Sequence, residues 1–176
     1  MPTALLIIDI QHALCNGPEA VENSAAIIDR VNQLANQARA AGAPVIFVQH
    51  EDEGALQRDS QGWQLMPGLK QQPEDLRLPK RGSDAFHHTE LQAMLKTRHI
   101  SALVICGMQT EYCVESTVRR ALALGYPVTL AADAHTTAPN GVLTVAQVIA
   151  HHHATLAGLG SYGVRASIRP VAEISF

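Results

Sequence analysis

Four stretches of the chain are apolar without alternation: ALLIID (4–9), PVIFVQ (44–49), ALVICG (102–107) and PVTLAAD (127–133). Runs of this length, rich in Val, Ile and Leu and lacking a polar face, predict strands covered on both sides, as in a parallel sheet between helices. Between the first two, Ile27, Ile28, Val31, Leu34, Ala35 and Ala38 recur on one helical stripe, with Asn23 or Ser24 as the N-cap. That helix is expected to end at AAGAP, where Gly42 can take the left-handed C-terminal conformation and Pro44 prevents continuation. The same punctuation returns at ALGYPV (Gly125, Pro127), after a helix whose Val114, Val118, Ala121 and Leu122 form the apolar stripe.

Further expected elements are a strand at RLPK (77–80), a helix at TELQAMLKTR (89–98), a helix over 141–157 and a last strand near 164–172. Alternating strands and helices imply right-handed crossovers and an α/β fold: a doubly wound, mostly parallel six-stranded sheet with helices on both faces. Residues 50–77 break this rhythm, with interruptions at Gly54, Gly62 and Pro67-Gly68. A connection of that length in a compact domain is functional or disordered, and Trp63 within it favours an ordered pocket wall.

A chain of 176 residues that is 47% hydrophobic is expected to form one domain spanning 1–176. Its start, MPTALLIIDI, lacks a basic n-region and reads as a buried strand, not a signal peptide. No apolar run reaches the ~18 residues of a membrane span, so a cytoplasmic location is expected. The formal net charge of −3 is scattered, leaving no electrostatic footprint for nucleic acid or an anionic membrane. A small-molecule substrate is the expected partner. Neither GxGxxG after a first strand nor GxxxxGK[ST] is present, so nucleotide cofactors lack their phosphate-binding glycines.

The three cysteines, Cys15, Cys106 and Cys113, have neither CxxC nor zinc-ribbon spacing. Cys106 lies inside a strand and reads as a small core hydrophobe, and Cys15 in HALCNGPE reads as an incidental loop thiol. Cys113 opens the helix VESTVRRALAL, where free backbone N–H groups and the helix dipole favour a thiolate. In an open parallel sheet, ligands bind beyond the carboxyl ends of the strands. Asp9 ends the first strand and Lys80 ends RLPK, so both are expected on the same rim as Cys113. An acid, a cation and a thiol brought together there fit the base, orienting group and nucleophile of covalent catalysis. Each alone has an ordinary reading: a strand-end cap, a solvated lysine, a buried thiol. His50, Trp63 and Phe86, each in a loop past a strand end, are candidates for the substrate pocket as well as for a surface histidine and core aromatics.

LLIIDIQ (5–11), Lys80 in LPKRGSDAFHHTEL, and LVICGMQTEYCVESTVRRALALGYPVTLAADA (103–134) together resemble the isochorismatase-like cysteine hydrolase superfamily. The resemblance spans most of the chain. It implies a six-stranded parallel sheet and a triad in which Asp9 is the general base and acid, Lys80 the electrostatic partner and Cys113 the nucleophile. It also implies a cis peptide before Gln109, with the N–H groups of Gln109 and Cys113 forming an oxyanion hole, and a homo-oligomer, dimer or tetramer. The implied chemistry is hydrolysis of an amide, ureide or carbamoyl C–N bond through a thioester, without a cofactor. Nicotinamidases of this family carry Asp-x-His after the second strand to hold a metal. Here VQHEDEG places Gln49 two positions before Glu51, so no metal is assigned. Isochorismatases that cleave enol ethers work without the cysteine, and Cys113 therefore points to amides. The rival reading is a catalytically silent relative that binds a metabolite or partner, against which the intact triad argues.

HHH at 151–153 suggests a metal, but consecutive helical residues fan across some 200° and cannot all face one ion. His153 shares a stripe with Val142, Ala146, Ile149 and Leu156 and is expected to pack, while His151 and His152 reach the surface or a subunit contact.

Overall fold

The structure, a computed structural model, describes residues 1–17 and 20–176. The chain runs β1 (Thr3–Ile8), α1 (His12–Cys15), α2 (Ser24–Ala40), β2 (Val45–His50), β3 (Leu76–Lys80), α3 (Leu91–Thr97) and β4 (Ala102–Met108). A π-helical turn (Thr110–Val114) then leads into α4 (Glu115–Ala123), followed by β5 (Val128–Thr136), α5 (Val145–Gly158), β6 (Ala166–Arg169) and a closing 3-10 turn (Val171–Glu173). The six strands lie in the order β3-β2-β1-β4-β5-β6, and every neighbouring pair is parallel.

The absence of alternation in the strands follows from burial on both faces. Leu5 and Ile7, with Val45, Phe47, Val104 and Cys106, pack against Val31, Leu34 and Ala38 of α2. The intervening Leu6 and Ile8, with Ile46, Val48, Leu103 and Ile105, pack against Leu91 and Leu95 of α3, Val118 and Leu122 of α4, and Leu156 of α5. Each strand residue thus meets a helix layer, and a polar residue on either side would be stranded away from water. Gly42 and Gly125 have positive φ after α2 and α4, as the helix, Gly, x, Pro, strand pattern requires. Among the described residues no helix is long and apolar enough to cross a membrane.

Four local expectations are corrected. The loop holding Cys15 is the short helix α1, and Cys15 is buried because this helix packs against the sheet beside α2. Asn23 occupies the N-cap of α2, but in a left-handed conformation with φ 58 and no side-chain cap bond. α5 starts at Val145, not 141, because Thr144 and Gln147 close a reciprocal capping box. Val142 is consequently ahead of the helix and 86% exposed, and the buried stripe is Val145, Val148 and Leu156.

The long segment between β2 and β3 is ordered. It folds back over the start of the chain, with Gln11 bridging Leu65 in antiparallel fashion and Met66 N–H donating to the Ile10 carbonyl. It thereby roofs the carboxyl edge of β1 and β2.

The chain builds outward from β1 to β3 and then returns to lay β4 against the other side of β1. This reversal of strand order creates a crevice beyond the carboxyl ends of β1 and β4. Gly107, near the end of β4, has φ +119, and a Cβ there would sit 2.1 Å from the Ile8 carbonyl oxygen. Only glycine permits this approach, and the residues that follow the two strands, Asp9 and the turn bearing Cys113, meet because of it. We expect Gly107→Ala to destabilise the fold by about 3 kcal/mol or more, measured as a shift in the urea unfolding midpoint. A variant as stable as the parent would contradict the close-approach account.

Candidate active site

The ends of β1, β3 and β4 supply the ionisable groups. Asp9 follows β1 in a left-handed conformation, φ 51, an uncommon state for a non-glycine residue that turns its side chain into the crevice mouth. Lys80 is the last residue of β3, registered beside His50 at the end of β2. Cys113 sits on the π-helical turn after β4. The Met108–Gln109 peptide that enters this turn is cis, as the resemblance implied.

Lys80 and Asp9 are both buried, at 2% and 1% exposure, and Lys80 Nζ lies 2.7 Å from Asp9 Oδ2. Nζ also donates to Cys113 Sγ at 3.2 Å and to the Gly82 carbonyl at 3.2 Å, and meets His50 Nδ1 at 3.1 Å. An ammonium has three N–H bonds, so four acceptors share it. Burial alone would lower the basicity of Lys80, but Asp9 and then Cys113 outweigh it and raise the pKa above the usual lysine value. The ammonium is therefore a fixed charge.

Because an ammonium only donates, His50 Nδ1 must accept, and its proton resides on Nε2. Burial, then Lys80, lower the pKa of His50, which keeps the ring neutral. Besides the 2.7 Å ion contact with Lys80 Nζ, Asp9 faces the Cys113 thiol. Asp9 thus holds lone pairs in reserve beside the thiol.

The state of Cys113 differs from the sequence expectation. Its position at a helix start favours a thiolate, yet burial first and Asp9 second push the thiol up to about 12, with Lys80 pulling the other way. At neutral pH the resting group is a thiol beside a carboxylate. Cys106 is raised by burial alone and Cys15 is raised to about 11 by the same cause. Of the cysteines only Cys113 is part-exposed.

A cavity of about 180 Å³ opens over this cluster, bordered by Asp9, His50, Gln109 and Cys113. The sequence placed Asp9 and Cys113 on one rim, offered His50 as a pocket candidate, and gave Gln109 through the family resemblance. It missed Leu14, Asp52, Leu56 and Tyr112, which complete the wall. Of these, only Asp52 carried a signal, its place two residues past the end of β2. Trp63 and Phe86, read as pocket residues, do not border the cavity. Phe86 is in the core, its ring 6.0 Å from that of Tyr126, because the segment after β3 turns back toward α3 and α4. Trp63 is half-buried, and its carbonyl accepts from the Gln11 and Gln49 side chains. It supports the roof, while Gln11 in turn bonds His50 through both its backbone N–H and its carbonyl.

Asp9, His50 and Cys113 place one ligand-type atom each within 4.8 Å of one another. Lys80 Nζ already contacts all three, so the protein's own cation stands where a metal would bind.

Behind the turn, buried Thr110 Oγ1 lies 2.9 Å from His135 Nδ1, and His135 Nε2 lies 2.8 Å from His153 Nε2. One imidazole must donate and the other accept. Burial, then His153 and His152, hold His135 down to about 3, so it stays neutral. His153, expected to pack as an apolar residue would, is instead the polar link from α5 to the turn of Cys113. His152 Nδ1 bonds the Val148 carbonyl, and His151 is exposed.

Comparison with known proteins gives a consistent picture. The family model for the isochorismatase domain matches residues 3–155. A streptothricin hydrolase of Streptomyces noursei is 38% identical over 136 residues, 76% of this chain and 49% of that protein. The chain spans about half the length of the streptothricin hydrolases it matches. The ureidoacrylate amidohydrolase RutB of Pseudomonas savastanoi pv. phaseolicola is 31% identical over 75% of this chain and 69% of its own. A crystal structure described as an isochorismatase family protein superposes with a TM-score of 0.88 at 37% identity, covering 95% of this chain and 97% of that one.

If Asp9 holds the thiol proton in place, removing its charge should release it. We expect Asp9→Asn to speed alkylation of Cys113 by iodoacetamide at pH 7 at least about tenfold, the change in thiolate fraction for one pKa unit. In the parent, the rate should keep climbing well above pH 9. An Asp9→Asn protein that alkylates no faster than the parent would show that Asp9 does not set the state of the thiol.

Proposed function

The chain belongs to the isochorismatase family, and from that membership together with the buried Asp9, Lys80 and Cys113 cluster we propose that it is a cysteine hydrolase of a small-molecule amide, ureide or carbamoyl C–N bond. The observation that carries the reading is the contact of one fixed ammonium with both a carboxylate and a part-exposed thiol at the floor of a cavity. The name of one relative, a ureidoacrylate amidohydrolase, supports the same bond class, and that of another, a streptothricin hydrolase, supports hydrolysis.

Asp9 takes the thiol proton as Sγ attacks the carbonyl carbon, so the thiolate exists only as it is used. A thiol raised to about 12 suits this order, because no free thiolate waits to be oxidised or alkylated. The carbonyl π electrons move onto oxygen, where the N–H groups of Gln109 and Cys113 receive the developing charge. Collapse expels the nitrogen, which takes the proton from Asp9 and leaves as ammonia or an amine. A water enters, gives its proton to Asp9 and cleaves the thioester; the proton returns to Sγ. Lys80 remains protonated throughout, which keeps the Asp9 carboxylate and the transient thiolate compatible in one buried space. His50 donates from Nε2 to the bound substrate.

The test is ammonia release from a panel of amides, ureides and carbamoyl compounds. Cys113→Ala and Asp9→Asn should each lower turnover of the active compound at least about 10³-fold, with the unfolding midpoint retained. Turnover that survives Cys113→Ala would overturn the cysteine mechanism.

A further inference from the structure

The cavity over Cys113 has a charge imbalance that the hydrolytic chemistry does not use. Within it the Asp9 carboxylate is matched by the Lys80 ammonium at 2.7 Å, and His50 is neutral. Among the described residues no lysine or arginine borders the cavity, whereas Asp52 does. Its Oδ1 accepts the backbone N–H of Gly54 at 2.8 Å and of Leu56 at 2.9 Å, which fixes the carboxylate on the wall. Its Oδ2 has no partner among the described residues. Arg58 pairs with Glu51 and Lys80 with Asp9, and no salt bridge among the described residues involves Asp52.

On the same cavity stands Tyr112, 53% exposed although large and aromatic. An exposed ring and an oriented carboxylate lining one cavity are the pairing that holds organic cations, one by its π face and the other by charge. A cavity of about 180 Å³ is below the usual size of a ligand pocket, so a substrate larger than the cavity extends past it along the wall that Asp52 and Tyr112 help to form.

We propose that Asp52 and Tyr112 form a cation subsite at the mouth of the cavity, which selects substrates bearing an ammonium, amidinium or guanidinium group beyond the scissile carbonyl. The subsite is a specificity determinant and takes no part in bond breaking. Its role as a substrate subsite rests on the hydrolase reading above, but its charge preference is measurable without turnover.

The probes are three methanethiosulfonates: the trimethylammonioethyl, the sulfonatoethyl and the neutral methyl reagent. Rates of Cys113 modification are followed by peptide mass and divided by the rates for free cysteine, then by each protein's own rate with the neutral reagent. The parent should favour the cationic over the anionic reagent by at least about tenfold, the size of one uncompensated charge at close range. Asp52→Asn, which keeps an acceptor for both backbone N–H groups, should cut that preference at least about fivefold. Glu53→Gln removes an exposed neighbouring charge that does not border the cavity, and should change it by less than about twofold. A parent that shows no cation preference, an Asp52→Asn variant that keeps it, or a Glu53→Gln variant that loses as much would each overturn the subsite. Because no hydrolysis is read, failure of the amide panel leaves this result standing, and failure here leaves the hydrolase reading intact.

Discussion

An ammonium with no solvent exposure organises this protein. Stripping water from a charge costs several kcal/mol even after relaxation, so Lys80 is tolerated only where a counter-ion and acceptors surround it. Asp9 supplies the charge, and His50, Gly82 and Cys113 supply the acceptors. These come from the ends of four different strand segments, which no local structure could assemble. The parallel order β3-β2-β1-β4 is what brings them within reach, and Gly107 lets the last of these strands close against β1. Fold and site are coupled through that one charge.

The same charge determines what the thiol can be. Mostly out of water and beside a carboxylate, Cys113 keeps its proton against the pull of the ammonium. On the proposed mechanism the pair behaves as a single proton store that the substrate carbonyl empties. The neutral Thr110, His135 and His153 chain braces the turn from behind without adding charge to it.

Much of this was legible in the sequence, for identifiable reasons. Unbroken apolar runs announced strands covered on both faces, and the rule that chemistry gathers at carboxyl ends of parallel strands picked out Asp9, Lys80 and Cys113. What stayed hidden depended on tertiary direction. Phe86 follows β3 just as a pocket residue would, but Tyr126, forty residues on, draws it into the core. Asp52 borders the cavity where the β2–β3 segment folds back onto α1, a path fixed by backbone bonds such as Ala13 to Gly62, and Tyr112 does so from the turn that also carries Cys113. The protonation of Cys113 was misjudged because helix position is local, whereas burial and the Asp9 charge are not. His153 looked apolar by its stripe; its partner His135 lies at the end of a strand that extends to Thr136, past the run PVTLAAD.

The central claim is that Cys113 rests as a thiol held between Asp9 and Lys80. Thiolate absorbance near 240 nm, taken as the difference between the parent and Cys113→Ser across pH, reads this state directly. No thiolate signal is expected from pH 6 to 9, with a rise only as the pH approaches about 12. A full thiolate signal already present at pH 7 would contradict it.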